Sequence, residues 1–89
     1  MNARFQLGKL VATPGALEAA PSREALFGLV QRHASGDWGD LDAHDKAENE
    51  LSLREGFRIL SAYELEGTRY WIITEADRSA TTILLPQEY

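Results

Sequence analysis

The chain contains no cysteine, so disulfides and thiolate chemistry are excluded from the outset. It also lacks any apolar run near the ~20 residues that a membrane-spanning helix requires. Its first residues, MNARFQLGKL, show no signal-peptide hydrophobic region. Together these point to a cytoplasmic protein with no membrane partner. Basic clusters are missing as well: nine Lys and Arg stand singly among 14 Asp and Glu, for a net charge of −5. Counterion-releasing contact with nucleic acid depends on clustered cations, so nucleic acid is disfavoured as a partner. Five excess negatives suit a solubility role better than mimicry of DNA. No motif specifies a reaction or a cofactor.

What is present is a strand-rich C-terminal half. Phe57–Leu65 and Thr68–Glu75 are dense in aromatic and β-branched residues, and Glu66-Gly67 lies between them. An acidic residue before Gly is a hairpin signal, because the tight turn needs positive φ and Gly supplies it at low cost. Counting outward from that turn sets Glu64 against Arg69, Tyr63 against Tyr70, Ala62 against Trp71 and Leu60 against Ile73. The charge pair and the aromatic pair are each worth ~0.2–1 kcal/mol, and a one-residue slip destroys both. A four-residue connection, Ala76–Ser79, then sets Trp71 against Leu84, Ile72 against Ile83 and Ile73 against Thr82.

Both faces of this sheet carry large apolar groups. Leu60, Ile73 and Leu84 surround Trp71 and make that face the expected seat of the helices. The opposite face mixes Tyr63, Tyr70 and Ser61 with Ile59, Ile72 and Ile83, the half-polar composition of an interface. It is expected to associate with a protein partner or a second copy, unless the N-terminal strand and the Pro86–Tyr89 tail fold over it.

Before the hairpin, Arg4–Ala12 reads as a first strand, and Lys9 within it suits a sheet edge. Thr13-Pro14 is an N-cap followed by proline at the first helical position and opens a short turn ending at Pro21. Ser22 opens a helix whose stripe is Leu26, Leu29, Val30 and His33, widened by Phe27 and Ala34. That helix closes at Ser35 and Gly36. Asp42 caps a second helix through Glu55, with a thin apolar strip of Ala43, Ala47 and Leu51. Eighty-nine residues make one domain, residues 1–89. The expected fold is α+β: a three- or four-stranded antiparallel sheet in β-α-α-β-β-β order, covered by two helices.

Three features could carry chemistry. GDWGDLDAHD places four aspartates within nine positions, near His33 and His44. Nitrogen and oxygen donors suit a divalent cation, yet the spacing fits neither a calcium loop nor HExxH. Helix capping by Asp42 and Asp45, with turns at Asp37 and Asp40, accounts for them, and no metal site is assigned. Trp38 between two glycines either plugs the loop onto the core or anchors a partner. In TEADRSATT, Glu75 and Asp77 could act as an acid–base pair and Arg78 could hold an anion bidentately; a polar hairpin loop is the simpler account. Ser79 has no histidine near it in sequence, so no catalytic residue is assigned.

RHASGDWGDL, the Asp45/Asn49 pair, GFRILSAY and WIITEADRSATTILLPQEY together resemble a group of short bacterial "plasmid-related" hypothetical proteins that accompany plasmids and integrative elements. The resemblance spans nearly the whole chain. It implies a mobile-element setting and assigns no activity or site. The leading expectation is a small non-enzymatic interaction protein, an accessory or inhibitor, with Asp37, Trp38, Asp40, Tyr63, Tyr70, Asp77 and Arg78 as candidate binding residues. The alternative is a small hydrolase or metal-dependent enzyme using the acidic and TEADRS loops, which would bring His33, Asp37, Glu75, Asp77 and Arg78 into one pocket.

Overall fold

The computed structural model describes residues 3–89. The chain runs β1 (Lys9–Ala12), α1 (Pro14–Ala19), α2 (Arg23–Ala34), α3 (Ala43–Glu55), β2 (Ile59–Leu65), β3 (Thr68–Thr74) and β4 (Ala80–Leu84), then a 3-10 turn at Pro86–Glu88. The expected α+β class and β-α-α-β-β-β order of elements hold, with the short turn expected after Thr13 forming the additional helix α1. Among the described residues, no helix is long and apolar enough to cross a membrane.

The hairpin register is the one counted from the turn, from Leu65↔Thr68 through Tyr63↔Tyr70 to Leu60↔Ile73. Glu66 and Gly67 both take positive φ, 50° and 82°, the geometry of a tight two-residue hairpin turn. β3 and β4 pair as Trp71↔Leu84, Ile72↔Ile83 and Ile73↔Thr82, again as counted. Thr13, Ser22 and Asp42 each accept a hydrogen bond from the backbone N–H three residues on, so all three N-caps stand.

Three expectations about the architecture need correction. First, the sheet is mixed. The strand order is β1-β4-β3-β2, and β1 runs parallel to β4. β1 is also shorter than Arg4–Ala12. Arg4 N–H donates to the Ala34 carbonyl and Phe5 packs edge-on to His33, so these residues bind helix α2 and leave the sheet.

Second, the helices cover the other face. Ile59, Ser61, Tyr63, Tyr70, Ile72, Thr74, Thr81 and Ile83 are all buried. Leu26, Leu29 and Val30 of α2 and Ala16 of α1 join Tyr63, Tyr70, Ile72 and Ile83 in the main core. Burying each large side chain is worth about 1.5–3 kcal/mol, against about 0–1 for an exposed ion pair. This apolar contact therefore decides which face is inside. The association surface expected at Tyr63 and Tyr70 is the core of the monomer. On the Trp71 face Leu60, Trp71 and Thr82 are only half-buried, and Tyr89 of the C-terminus meets Trp71 edge-on with centroids 5.6 Å apart.

Third, α3 lies beside β2. Ala43 and Ala47 are exposed, while Asn49 and Ser52 are the residues it buries. The thin apolar strip is not its contact surface.

Candidate functional site

The site residues are best placed by asking what seals each edge of the sheet. At the β2 edge, the Asn49 amide donates to the Leu60 carbonyl at 2.6 Å and accepts from the Leu60 N–H at 3.1 Å. Two residues along, Ala62 N–H donates to the Trp38 carbonyl at 3.3 Å, and Asp40 N–H donates to the Ala62 carbonyl at 2.7 Å. The Trp38–Asp40 backbone thus serves as a fragment of fifth strand, and Gly39 forms a bridge with Ala62. A Cβ at Gly39 would lie 2.0 Å from the Ala62 oxygen, so glycine permits this approach.

The Asp37–Asp40 loop is braced from both sides. Trp38 is 5% exposed, stacks on Phe5, and donates its indole N–H to Glu50 at 2.9 Å. Glu50 also accepts two hydrogen bonds from Arg4 at 3.0 Å each. The Arg4 guanidinium, and then the indole, hold the Glu50 carboxyl below its ordinary range. Asp37 accepts from Arg32 Nε at 2.7 Å and from the Gly39 N–H at 3.1 Å. Arg32 chiefly lowers its pKa. Trp38 is therefore the plug over the core, and the partner-anchor reading is corrected. The Asp40 side chain is exposed, and its contribution to this edge is made through its backbone.

Beneath the loop, His33 is fully buried. Its Nδ1 lies 2.6 Å from Ser61 Oγ and its Nε2 2.8 Å from Thr74 Oγ1. Thr74 and Thr81 hydroxyls are 2.7 Å apart, and Thr81 donates to the Leu7 carbonyl at 2.7 Å. Each hydroxyl has one proton, so the directions follow from the far end. Thr81 donates to Leu7, Thr74 to Thr81, His33 Nε2–H to Thr74, and Ser61 to Nδ1. The chain is satisfied with a neutral imidazole, and burial pushes the His33 pKa down to about 4. Tyr63 donates its hydroxyl to the Asp37 carbonyl at 2.6 Å, and burial raises its phenol pKa to about 12.

The TEADRS loop is equally committed. Arg78 donates to the carbonyls of Phe57, Glu75 and Ala76 through one terminal guanidinium nitrogen and to that of Ser52 through the other terminal one. It ties the end of α3 to both neighbouring loops, which corrects the anion-binding reading. Asp77 accepts from the Ser79 N–H at 3.0 Å in a local turn, and Glu75 pairs with Arg58 at 3.1 Å. The side chains of His33, Asp37, Glu75, Asp77 and Arg78 are thus each engaged with other groups of the fold, and among the described residues no ion pair or side-chain-to-side-chain hydrogen bond joins one to another. Among the described residues, no three His, Asp or Glu side chains are grouped so as to hold a metal ion.

A cluster of exposed apolar residues lies at the opposite edge. Leu10 (46%), Val11 (39%), Leu17 (44%) and Phe27 (52%) are exposed large apolar residues along β1, α1 and α2, while Phe57 (54%) and Tyr89 (70%) are exposed singly elsewhere. Leu10, Ala12, Leu17, Leu26, Phe27 and Ile83 line a groove of about 530 Å³ there. Sequence reasoning placed Phe27 in the core and passed over Leu10. The signals were Phe27's offset from the Leu26-Leu29-Val30-His33 stripe and the alternation of Leu10 against Lys9.

Fold and surface together define a small α+β domain with one sealed sheet edge and one open, apolar edge. No family model, no curated protein and no solved structure matches the chain.

Proposed function

We propose that this chain is a small non-enzymatic protein-binding domain whose contact surface is the β1 edge with its adjoining groove. One contrast carries the reading: the β2 edge is closed by Asn49 and Trp38–Asp40, whereas the β1 edge is flanked by exposed Leu10, Leu17 and Phe27. Contiguous exposed apolar surface of this kind marks an interaction site. The polar residues that suggested an enzyme support the opposite view, since their hydrogen bonds are spent within the fold. An accessory or inhibitor role on a mobile element rests on the resemblance of the GDWG and WIITEADRS segments alone.

The test is photocrosslinking in the native host, with p-benzoylphenylalanine replacing Phe27 or, as a control, Glu64 on the exposed part of β2. A discrete adduct with another protein from position 27 and none from position 64 is expected. Adducts from position 64 alone, or from neither position, would contradict the reading.

A further inference from the structure

The unsealed edge has a definite hydrogen-bonding pattern. Lys9 N–H donates to the Ser79 carbonyl and Thr13 N–H to that of Ile83, and the parallel register pairs Lys9 with Ala80 and Val11 with Thr82. Backbone groups alternate along a strand, so those of Leu10 and Ala12 point away from β4. Among the described residues nothing pairs with them. Their side chains line the groove, while Lys9 and Val11 lie on the reverse of the strand. Two outward N–H and two outward C=O groups beside an apolar groove match an extended backbone with alternate apolar side chains.

Charge selects the occupant further. Lys9 is the one ionic residue of β1, and Arg23 is the one ionic residue lining the groove. Among the described residues neither has an anionic partner within salt-bridge distance. A chain of net charge −5 thus presents two cations at its open edge. A two-fold pairing of β1 with a second copy would gather four cations along one seam, and an edge lysine discourages such self-pairing.

We propose that the β1 edge takes up an extended acidic–apolar segment of another protein as an added strand, its groove-facing side chains apolar save for one carboxylate against Arg23, and the carboxylates at the alternate positions against Lys9 on the reverse face. This rests on the protein-binding reading above and names the partner's chemistry.

A displayed library of random 12-residue peptides, selected against the full chain, tests it. The recovered peptides are expected to carry apolar residues at alternate positions with Asp or Glu between them. Synthetic copies should slow amide exchange at Leu10 and Ala12 at least tenfold and leave Leu60 unchanged. The double variant Lys9→Glu, Arg23→Glu alters exposed side chains only and should weaken their binding at least tenfold. Ala12→Pro, which removes a single outward N–H on an edge strand, should abolish it. Four outcomes would overturn the proposal: no recovered binder, binders lacking acidic–apolar alternation, binding that leaves Leu10 and Ala12 exchange unchanged, or a wild-type dimer that itself protects those amides. A position-27 crosslink to another protein in combination with any of these removes the strand while the binding reading stands.

Discussion

The Asn49 side chain pairs with the Leu60 backbone through both of its amide groups, at 2.6 and 3.1 Å, and so stands in for the next strand of the sheet. A helix residue thereby closes a sheet edge. It explains why α3, with so little apolar surface, holds its place beside β2. Replacing Asn49 by Ala leaves the Leu60 N–H and carbonyl without partners, a loss of about 1–3 kcal/mol. Asn49→Asp should be comparably damaging at neutral pH, because a carboxylate oxygen then faces the Leu60 carbonyl. Urea denaturation midpoints of the three proteins check the ranking.

Gly39 and Gly67 separate two reasons for glycine. Both have positive φ, 75° and 82°. A Cβ at Gly67 meets open space, whereas one at Gly39 meets the Ala62 oxygen at 2.0 Å and the Tyr63 ring at 2.7 Å. Gly67→Ala should therefore cost about 1 kcal/mol from backbone strain alone. Gly39→Ala should cost about 2–4 kcal/mol, adding displacement of the loop from β2. Equal midpoints for the two variants would contradict the edge-sealing role of Trp38–Asp40.

His33 gives the fold a defined acid sensitivity. Its pKa falls from 6.5 to about 4 on burial, so the folded state favours the neutral ring. Above pH 6.5 both folded and unfolded forms are neutral and its contribution is complete. As pH falls from 6.5 towards 4 the unfolded chain takes up a proton that the folded chain does not, and about 3 kcal/mol is lost. His33→Gln should lower stability at pH 7 and flatten its slope between pH 6.5 and 4. The difference between the two pH profiles isolates this group, since the carboxylates titrate in both proteins.

Tyr70 is buried, and among the described residues nothing bonds its hydroxyl. Removing an unsatisfied buried group relieves its desolvation cost, so Tyr70→Phe should match or exceed the wild type in thermal midpoint, by up to about 1 kcal/mol in stability. A clear loss would mean that the hydroxyl is bonded in solution.

Local signals made much of this fold readable before any coordinates. Glu66-Gly67 dictated the turn, and a side-chain period of two carried its register through β3 into β4. Thr13, Ser22 and Asp42 marked helix starts because capping needs only a side chain and the backbone three residues on. The inside face was misassigned because Ser61, Thr74, Thr81 and His33 look like surface residues one at a time. They are compatible with burial only as a connected chain, and its members are 28 and 41 residues apart where His33 joins it. Trp71, the largest residue of the hairpin, drew the helices to the wrong side on paper. The candidate site was hidden for a related reason. Whether an edge is open depends on what Asn49 and Trp38–Asp40 reach in space, and on β1 lying beside β4, neither of which local pattern contains.

The asymmetry of the two edges is tested most directly by amide hydrogen exchange on the isolated protein, at a concentration where sedimentation shows a monomer. Leu60 and Ala62, at the β2 edge, should exchange slowly because Asn49 and Trp38–Asp40 hold their N–H groups. Leu10 and Ala12 should exchange nearly as freely as an unstructured chain, while Lys9 and Val11, whose N–H groups face β4, stay protected. Slow exchange at Leu10 and Ala12 in the monomer would show that the β1 edge is already covered, and would contradict its assignment as the binding surface.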